Sequence, residues 1–354
     1  MELKLQRRDF IKLVGGIWLF SQAPLGLAME TPAAGGWRTF RLTYTVNLIQ
    51  PGGNASLWLP IPESMGEYQQ VSEPRWTCVA DEARIKRVSN VQAFVASWSG
   101  ANVCEATVSV DVATRDRSPD LQRGNTSQEE AADAVRNYLQ PTASMPLDGI
   151  VRSTALAATK DAGSPLQKAR AIYDWVVDNT FREPKVQGCG RGDIKAMLET
   201  GNLGGKCADI NSLFVGLCRA AGIPAREVYG IRVAESHQFK SLGRSGDISK
   251  AQHCRAEFYL ERVGWIPVDA ADVRKAVLEE KLTLDDARIV ALRERLFGNW
   301  EMNWIAFNDE RDIALSPSHQ VGFFMYPCAE VAGQTSNSLA PDSFAYRIVA
   351  SEVT

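Results

Sequence analysis

The sequence predicts an α+β protein, with an N-terminal β-sandwich ahead of a core that mixes helices and strands. Three observations point there. Between Trp37 and Val112, short runs alternate apolar and polar residues with the two-residue period of strands. From Pro165 to Asn179, Ala169, Ile172, Tyr173 and Val176 recur at helical spacing. Gly204-Gly205-Lys206 then delivers Cys207 to an amphipathic stretch, Ile210 to Ala221, which strand-like segments follow. The 354 residues divide accordingly. Residues 1–28 form an export signal, 37–113 the sandwich, 114–148 a linker with a helix, 149–275 the core domain, and 276–354 an extension packing on that core.

At the N-terminus, Gln6-Arg7-Arg8-Asp9-Phe10-Ile11-Lys12 precedes a short apolar run, Leu13 to Phe20. Paired arginines before a modest apolar segment form a twin-arginine export signal, with small residues Gly26 and Ala28 placed for cleavage after Ala28. A membrane anchor is the alternative, but the run is far short of the roughly 20 residues a spanning helix needs. We expect a soluble periplasmic or secreted protein with no membrane insertion once the signal is removed. The chain is formally −3, and four basic and two acidic residues fall in 1–28, so the remainder is −5. No basic block is interleaved with aromatics, which argues against a nucleic-acid partner.

Thr39 to Val46, Ala55 to Pro60, Ala93 to Trp98 and Val103 to Val112 are the first strands, with Pro51-Gly52-Gly53-Asn54 as a turn. The sandwich is a spacer or a substrate or partner module; no residue decides between them. A polar stretch, Thr114 to Gln128, leads to helical segments Gln128 to Gln140 and Gly149 to Asp161. Pro165 suits the first turn of the next helix. Gly222-Ile223-Pro224 stops the cysteine helix. Val228 to Val233 reads as a strand, and a polar insertion, Glu235 to Lys250, is placed to border a cleft. Past Val273, Lys275 to Leu296 is helical in part. Phe297 to Phe307 is dense in aromatics, as a core-packing lid or a substrate-facing wall, and Phe344 to Val349 is a last strand.

All seven cysteines follow the signal, an odd number that suits one free reactive thiol. Cys78 and Cys104 flank what read as adjacent strands and are the pair best placed for a disulfide, with buried free thiols as the alternative.

Cys207 carries the chemistry. A thiol at a helix N-terminus feels the positive end of the helix dipole, which favours the thiolate. His253 and Asp269 follow, in Gln252-His253-Cys254-Arg255 and Gly264-Trp265-Ile266-Pro267-Val268-Asp269. Imidazole can deprotonate a thiol near neutral pH, and a carboxylate can orient that imidazole. Each has a plainer reading: Cys207 as a small core residue, His253 as a satisfied core histidine, Asp269 as a helix cap with Asp272 as its rival. His237 reads as a loop residue and His319 as a surface turn residue. The Cys207 backbone N–H could hold an oxyanion, with Gln252, Gln187 and Asn202 as candidates for a second donor. Zinc on Cys207, His253 and Cys254 is disfavoured, because neighbours on a strand point to opposite faces and no metal-ligand spacing occurs. Lys206 is not followed by Ser or Thr, so the glycines of 201–205 are no phosphate loop.

These motifs resemble the transglutaminase-like superfamily: Gly-x-Cys opening a helix, Arg219-Ala220-Ala221-Gly222-Ile223-Pro224-Ala225-Arg226 running into a strand, a strand starting at His253, and Gly-Trp-x-Pro-Val-Asp. The resemblance covers about Pro165 to Val273. It departs at Arg255, where an aromatic is common, and at Ala270, where Pro is common. It implies a papain-like cysteine proteinase fold and a Cys207–His253–Asp269 triad, with no cofactor and no metal. The implied reaction is cleavage or transfer at an amide of a peptide or protein in the cell envelope, through an acyl-thioester, with hydrolysis favoured. Protein-glutamine crosslinking, or a binding or assembly protein that keeps the fold without turnover, are the alternatives.

Overall fold

The computed structural model of the chain describes residues 36–48, 53–101, 103–121, 132–339 and 344–353. Residues 1–28, read from the sequence as an export signal, and the Pro51-Gly52 half of the first turn lie outside them. Seven strands open the described chain: β1 (Arg38–Leu48), β2 (Gly53–Pro60), β3 (Gln69–Val71), β4 (Arg75–Cys78), β5 (Glu82–Val88), β6 (Val91–Ala101) and β7 (Cys104–Thr114). All pairing among them is antiparallel: β7 takes β1, β3 and β4, while β6 takes β2 and β5. Alternation decides which face is inside. β1 turns Phe40, Leu42, Tyr44 and Val46 inward, and β7 turns Ala106, Val108, Val110 and Val112, against Leu57, Leu59 and Phe94 of the second sheet. The Tyr44 hydroxyl, buried among them, donates to the Pro60 carbonyl at 2.7 Å, so one polar tip is satisfied inside the sandwich.

The core follows as α1 (Ala132–Asn137), α2 (Gly149–Ala158), α3 (Pro165–Asn179), β8 (Phe181–Arg182), α4 (Ile194–Thr200), β9 (Gly204–Gly205), α5 (Cys207–Ala220), β10 (Ala225–Arg232), β11 (Gly246–Asp247), β12 (Gln252–Leu260), β13 (Gly264–Val268), α6 (Ala270–Glu279), α7 (Ala287–Arg295) and β14 (Trp304–Asn308). α3 begins where expected: Ser164 and Gln167 form a reciprocal capping box, with Pro165 at the first helical position. α5 reads as amphipathic, yet Cys207 through Arg219 are all buried. It is covered on both sides, by β10 and β12 of the antiparallel sheet β13-β12-β10-β14 and by α2, α3 and α6. Gly222, at φ +82°, ends it in the left-handed region that favours glycine.

The C-terminal residues, expected to pack on the core, divide their strands between both halves. β14 completes the core sheet. Then come β15 (Arg311–Ser316), β16 (His319–Phe323), β17 (Cys328–Val331), β18 (Gln334–Thr335) and β19 (Ala345–Val353). β17 pairs with β2, and β19 lies along β1 for nine residue pairs from Thr39↔Val353 to Asn47↔Ala345. β11, inside the polar insertion, pairs in turn with β19. The chain's end thus closes the sandwich edge and clamps the insertion to it. The aromatic stretch turns inward, with Trp300, Trp304 and Phe307 all buried.

Two local expectations change. His319 is no surface turn residue: it is 4% exposed and meets Trp58 edge-on at 5.5 Å, because the β15–β16 hairpin folds against β2. Cys78 and Cys104 do lie on adjacent strands, yet both are free thiols, as are the other five cysteines. Among the described residues no helix is long and apolar enough to cross a membrane.

Candidate active site

Cys207 is the first residue of α5, His253 the second of β12, and Asp269 the residue that caps α6. Sheet and helix bring the three together. β12 and β13 pair antiparallel with Ala256 opposite Val268, which sets Asp269 alongside the start of β12. His253 Nε2 lies 2.7 Å from Asp269 Oδ2. Since a carboxylate only accepts, Nε2 carries the proton, and Nδ1 is the nitrogen left for the Cys207 sulfur, whose anion His253 favours. All three are nearly closed off: Cys207 and His253 are 3% exposed and Asp269 is 0%.

Asp269 is both cap and partner. Oδ1 accepts from the Asp272 amide at 3.1 Å, closing the N-terminus of α6, while Oδ2 faces the imidazole. Asn211, one turn into α5, donates to Asp269 Oδ1 at 3.1 Å and to the Cys254 carbonyl at 3.0 Å. Asp272, the rival carboxylate, stands 3.5 Å from His253 Nε2 but is engaged by Arg232 at 2.5 Å.

The thiol has neighbours that sequence spacing does not reveal. Cys207 is held well below the ordinary thiol range, first by the neighbouring thiols of Cys189 and Cys254, against burial, and then by His253, while the Cys189 thiol itself donates to the Gln252 carbonyl at 3.3 Å. Cys189 is pushed well up by its bond to Cys207 and by burial; Cys254 is pushed up by burial and then by Cys207. For His253, burial and Arg232 oppose the charged form, but the carboxylates of Asp272 and Asp269 prevail and its pKa is raised. The site therefore favours a thiolate beside an imidazolium. Cys254, the strand neighbour of His253, also acts on the Cys207 thiol and favours its anion.

Asp209 builds the turn that presents the cysteine. It sits at the third position of α5 and accepts from the amides of Arg191 (2.8 Å), Gly192 (2.9 Å) and Lys206 (3.0 Å). This pins the 189–192 loop across the helix N-terminus, where Ala208 N donates to the Cys189 carbonyl at 2.9 Å. Gly190 makes that approach feasible: its φ is +96°, and a Cβ there would collide with the Asp209 carboxylate. An Asp three residues after a helix-opening Lys is the signal that marks it. Cys189 also accepts from the Tyr326 hydroxyl at 3.1 Å.

Arg255, which stands where an aromatic is common, explains the aromatic stretch that follows. Its guanidinium lies 4.8 Å from the Trp304 ring centre and 5.6 Å from that of Trp300. It donates to the Glu301 carbonyl at 3.0 Å and comes within 3.7 Å of Asp269. Arg226 serves elsewhere. It binds Glu257 at 2.7 Å and Asp309 at 2.6 Å, tying β10 to β12 and to the end of β14. Of the oxyanion candidates, Gln187 and Gln252 line the cleft, with Gln252 donating to the Ser249 carbonyl. Asn202 is used within its own turn, accepting from Gly204 N.

His253, Asp269 and Asp272 could together offer a cation three ligand atoms within 4.8 Å of one another. Their surroundings do not suit one. Arg232 and Arg255, both buried, already supply the positive charge that these carboxylates face. The cleft over Cys207 measures about 1520 Å³ and is walled by the loop before α5, the polar insertion and the C-terminal segment around Tyr326 and Tyr346.

Residues 152–270 match the model of the transglutaminase-like superfamily core. A Haemophilus influenzae protein of uncharacterised function is 38% identical over 338 residues, spanning 89% of this chain and 91% of its own. Among solved structures, a candidate cysteine protease from Cytophaga hutchinsonii superposes with a TM-score of 0.56 at 14% identity, over 90% of this chain and 92% of that one. At that identity the likeness is one of fold.

Proposed function

The chain belongs to the transglutaminase-like superfamily, and from that premise we propose that it is an exported thiol hydrolase that cleaves an amide or peptide bond with Cys207, His253 and Asp269. The observation that carries the reading is the His253 imidazole held between the Asp269 carboxylate and a thiol whose surroundings favour the anion. Cys207 Sγ attacks the carbonyl carbon. The C–N bond breaks as the His253 imidazolium gives its proton to the departing amine, leaving a thioester and neutral imidazole. Water then attacks the thioester while His253 takes its proton; the carboxylic acid leaves and the thiolate–imidazolium pair returns. The Cys207 backbone N–H, at the N-terminus of α5, is one donor for the oxyanion, and Gln187 is the side chain on the cleft best placed by elimination to be the second. Removal of one such donor costs about 3–4 kcal/mol of barrier. The twin-arginine pattern supports a periplasmic or secreted location, where peptides or proteins of the envelope are the substrates.

The test is the pH dependence of iodoacetamide labelling, with modified cysteines mapped by mass spectrometry. Cys207 should label fast well below pH 8 and at least 10-fold more slowly in His253→Ala, while Cys218 and Cys328 serve as buried references. Ordinary thiol reactivity at Cys207, unchanged by the substitution, would leave a binding protein in place of an enzyme.

A further inference from the structure

The cleft above Cys207 is basic in a protein that is acidic. The chain as a whole is −3, yet nine Lys or Arg line the cleft against three Asp or Glu. Part of this charge is balanced: Arg232 by Asp272 at 2.5 Å, Arg347 by Asp247 at 3.1 Å, and Lys275 by Glu279 at 3.9 Å. Arg182, Lys185, Lys206, Lys240, Arg244 and Lys250 have no ion-pair partner among the described residues. A scatter of surface lysines is the ordinary reading of such charges. Here they come from two segments far apart in sequence, 182–206 and 240–250, and converge on one concavity with the reactive sulfur at its floor. Fields from like charges add in a concave, low-dielectric setting and draw in the opposite charge.

Local structure holds both segments in place. Arg182 lies opposite Gly205 in the β8–β9 pair, which sets it beside Lys206 at the head of α5. The insertion is anchored by the Lys275 ammonium on the Ser241 carbonyl, by Ser241 N on Glu280 at 2.9 Å, and by β11 on β19. The cations are thus carried on fixed walls.

We propose that the substrate of this site is an acidic peptide, with carboxylate side chains on both sides of the amide that Cys207 attacks. The inference rests on the thiol-hydrolase reading of the same cleft. Each solvated carboxylate–ammonium pair contributes only a few-fold in affinity, so several together give roughly 10- to 100-fold discrimination over a neutral peptide. Because the walls are open to solvent, that discrimination falls as salt shortens the screening length, about 8 Å at physiological ionic strength.

Calorimetric binding to the full chain carrying Cys207→Ala, which removes turnover, tests this. The probes are a hexapeptide amide with glutamates flanking a central Gln-Gly, its glutamine-flanked counterpart, and inorganic phosphate. The glutamate peptide should bind at least 10-fold tighter than the glutamine peptide at 50 mM salt and lose most of that advantage at 500 mM. Lys185→Glu/Lys240→Glu/Lys250→Glu should abolish the preference. If charge reversal disturbs folding, the triple Gln variant replaces it and should at least halve the preference. Equal binding of the two peptides, or no binding of the glutamate peptide, overturns the proposal. So does phosphate displacing the peptide at equal concentration, which would make the cleft a site for small anions. None of these readouts uses the thiol, so iodoacetamide reactivity of the wild type decides the hydrolase reading separately.

Discussion

Asp269→Asn isolates the charge at the centre of the site. Asparagine keeps the shape and an oxygen to cap α6 through the Asp272 amide, but it removes the anion 2.7 Å from His253 Nε2. A unit-charge pair about 4 Å apart is worth about 4 kcal/mol at an effective dielectric near 20. Asp272, 3.5 Å from the same nitrogen, preserves part of that field, although Arg232 already engages it. Taking half the pair value leaves a loss of about 2 kcal/mol, or between one and two pH units. The direction follows from the raised pKa of His253, which the two carboxylates sustain against burial and Arg232. With one carboxylate gone, the imidazolium releases its proton at lower pH, and the Cys207 thiolate, which it helps to stabilise, is protonated up to higher pH. Iodoacetamide labelling of Cys207 should shift upward by one to two pH units, with a rate at pH 6 reduced about 10- to 100-fold. Buried Arg255 also loses a counter-charge at 3.7 Å, at a cost of about 3 kcal/mol in urea unfolding. Asp269→Ala forfeits the cap as well, about 1 kcal/mol more. A folded Asp269→Asn protein whose labelling profile overlays the wild type would refute the reasoning.

Cys189→Ala removes the neighbouring thiol that most lowers the Cys207 pKa. If that neighbour acts with the net strength of one hydrogen bond, about 0.5–1.5 kcal/mol, labelling at pH 6 should slow by roughly 2- to 13-fold; an unchanged rate would show that His253 and the helix dipole suffice. Glu257→Gln strips the charge from a fully buried carboxylate held between Arg117 and Arg226. It should cost about 3 kcal/mol in chemical denaturation and leave the Cys207 labelling profile in place, because this cluster does not touch the triad.

Elements whose signals are local were legible in the residues. Pro165–Asn179 is helical over the span its apolar spacing and Ser-Pro start specify. The β1 and β7 alternation predicts which side chains face inward. The Gly-Gly-Lys-Cys turn announces a helix that begins at the cysteine, and His253 and Asp269 stand on the strand and at the strand end read for them. The buried character of α5 was not legible, because an amphipathic pattern cannot say how many neighbours will cover its polar side. Nor was the destination of β17 and β19, since pairing with β2 and β1 joins residues some 270 to 310 positions apart and leaves no periodic trace.

What the sequence determined by itself is the chemistry on offer: a thiol at a helix start, one imidazole on a strand, a carboxylate where the next helix begins, in an order that specifies the family. These follow from residue type, capping and short-range period. Tertiary structure alone decided the environment that chemistry works in. Cys189 reaches Cys207 because Asp209 folds a distant loop over α5, and Arg255 sits under Asp269 because Trp300 and Trp304 return to cover it. The basic cleft forms because an insertion clamped by the last strand faces the loop before the nucleophile. Charge and burial are properties of neighbourhoods, and the chain sets its neighbourhoods only on folding.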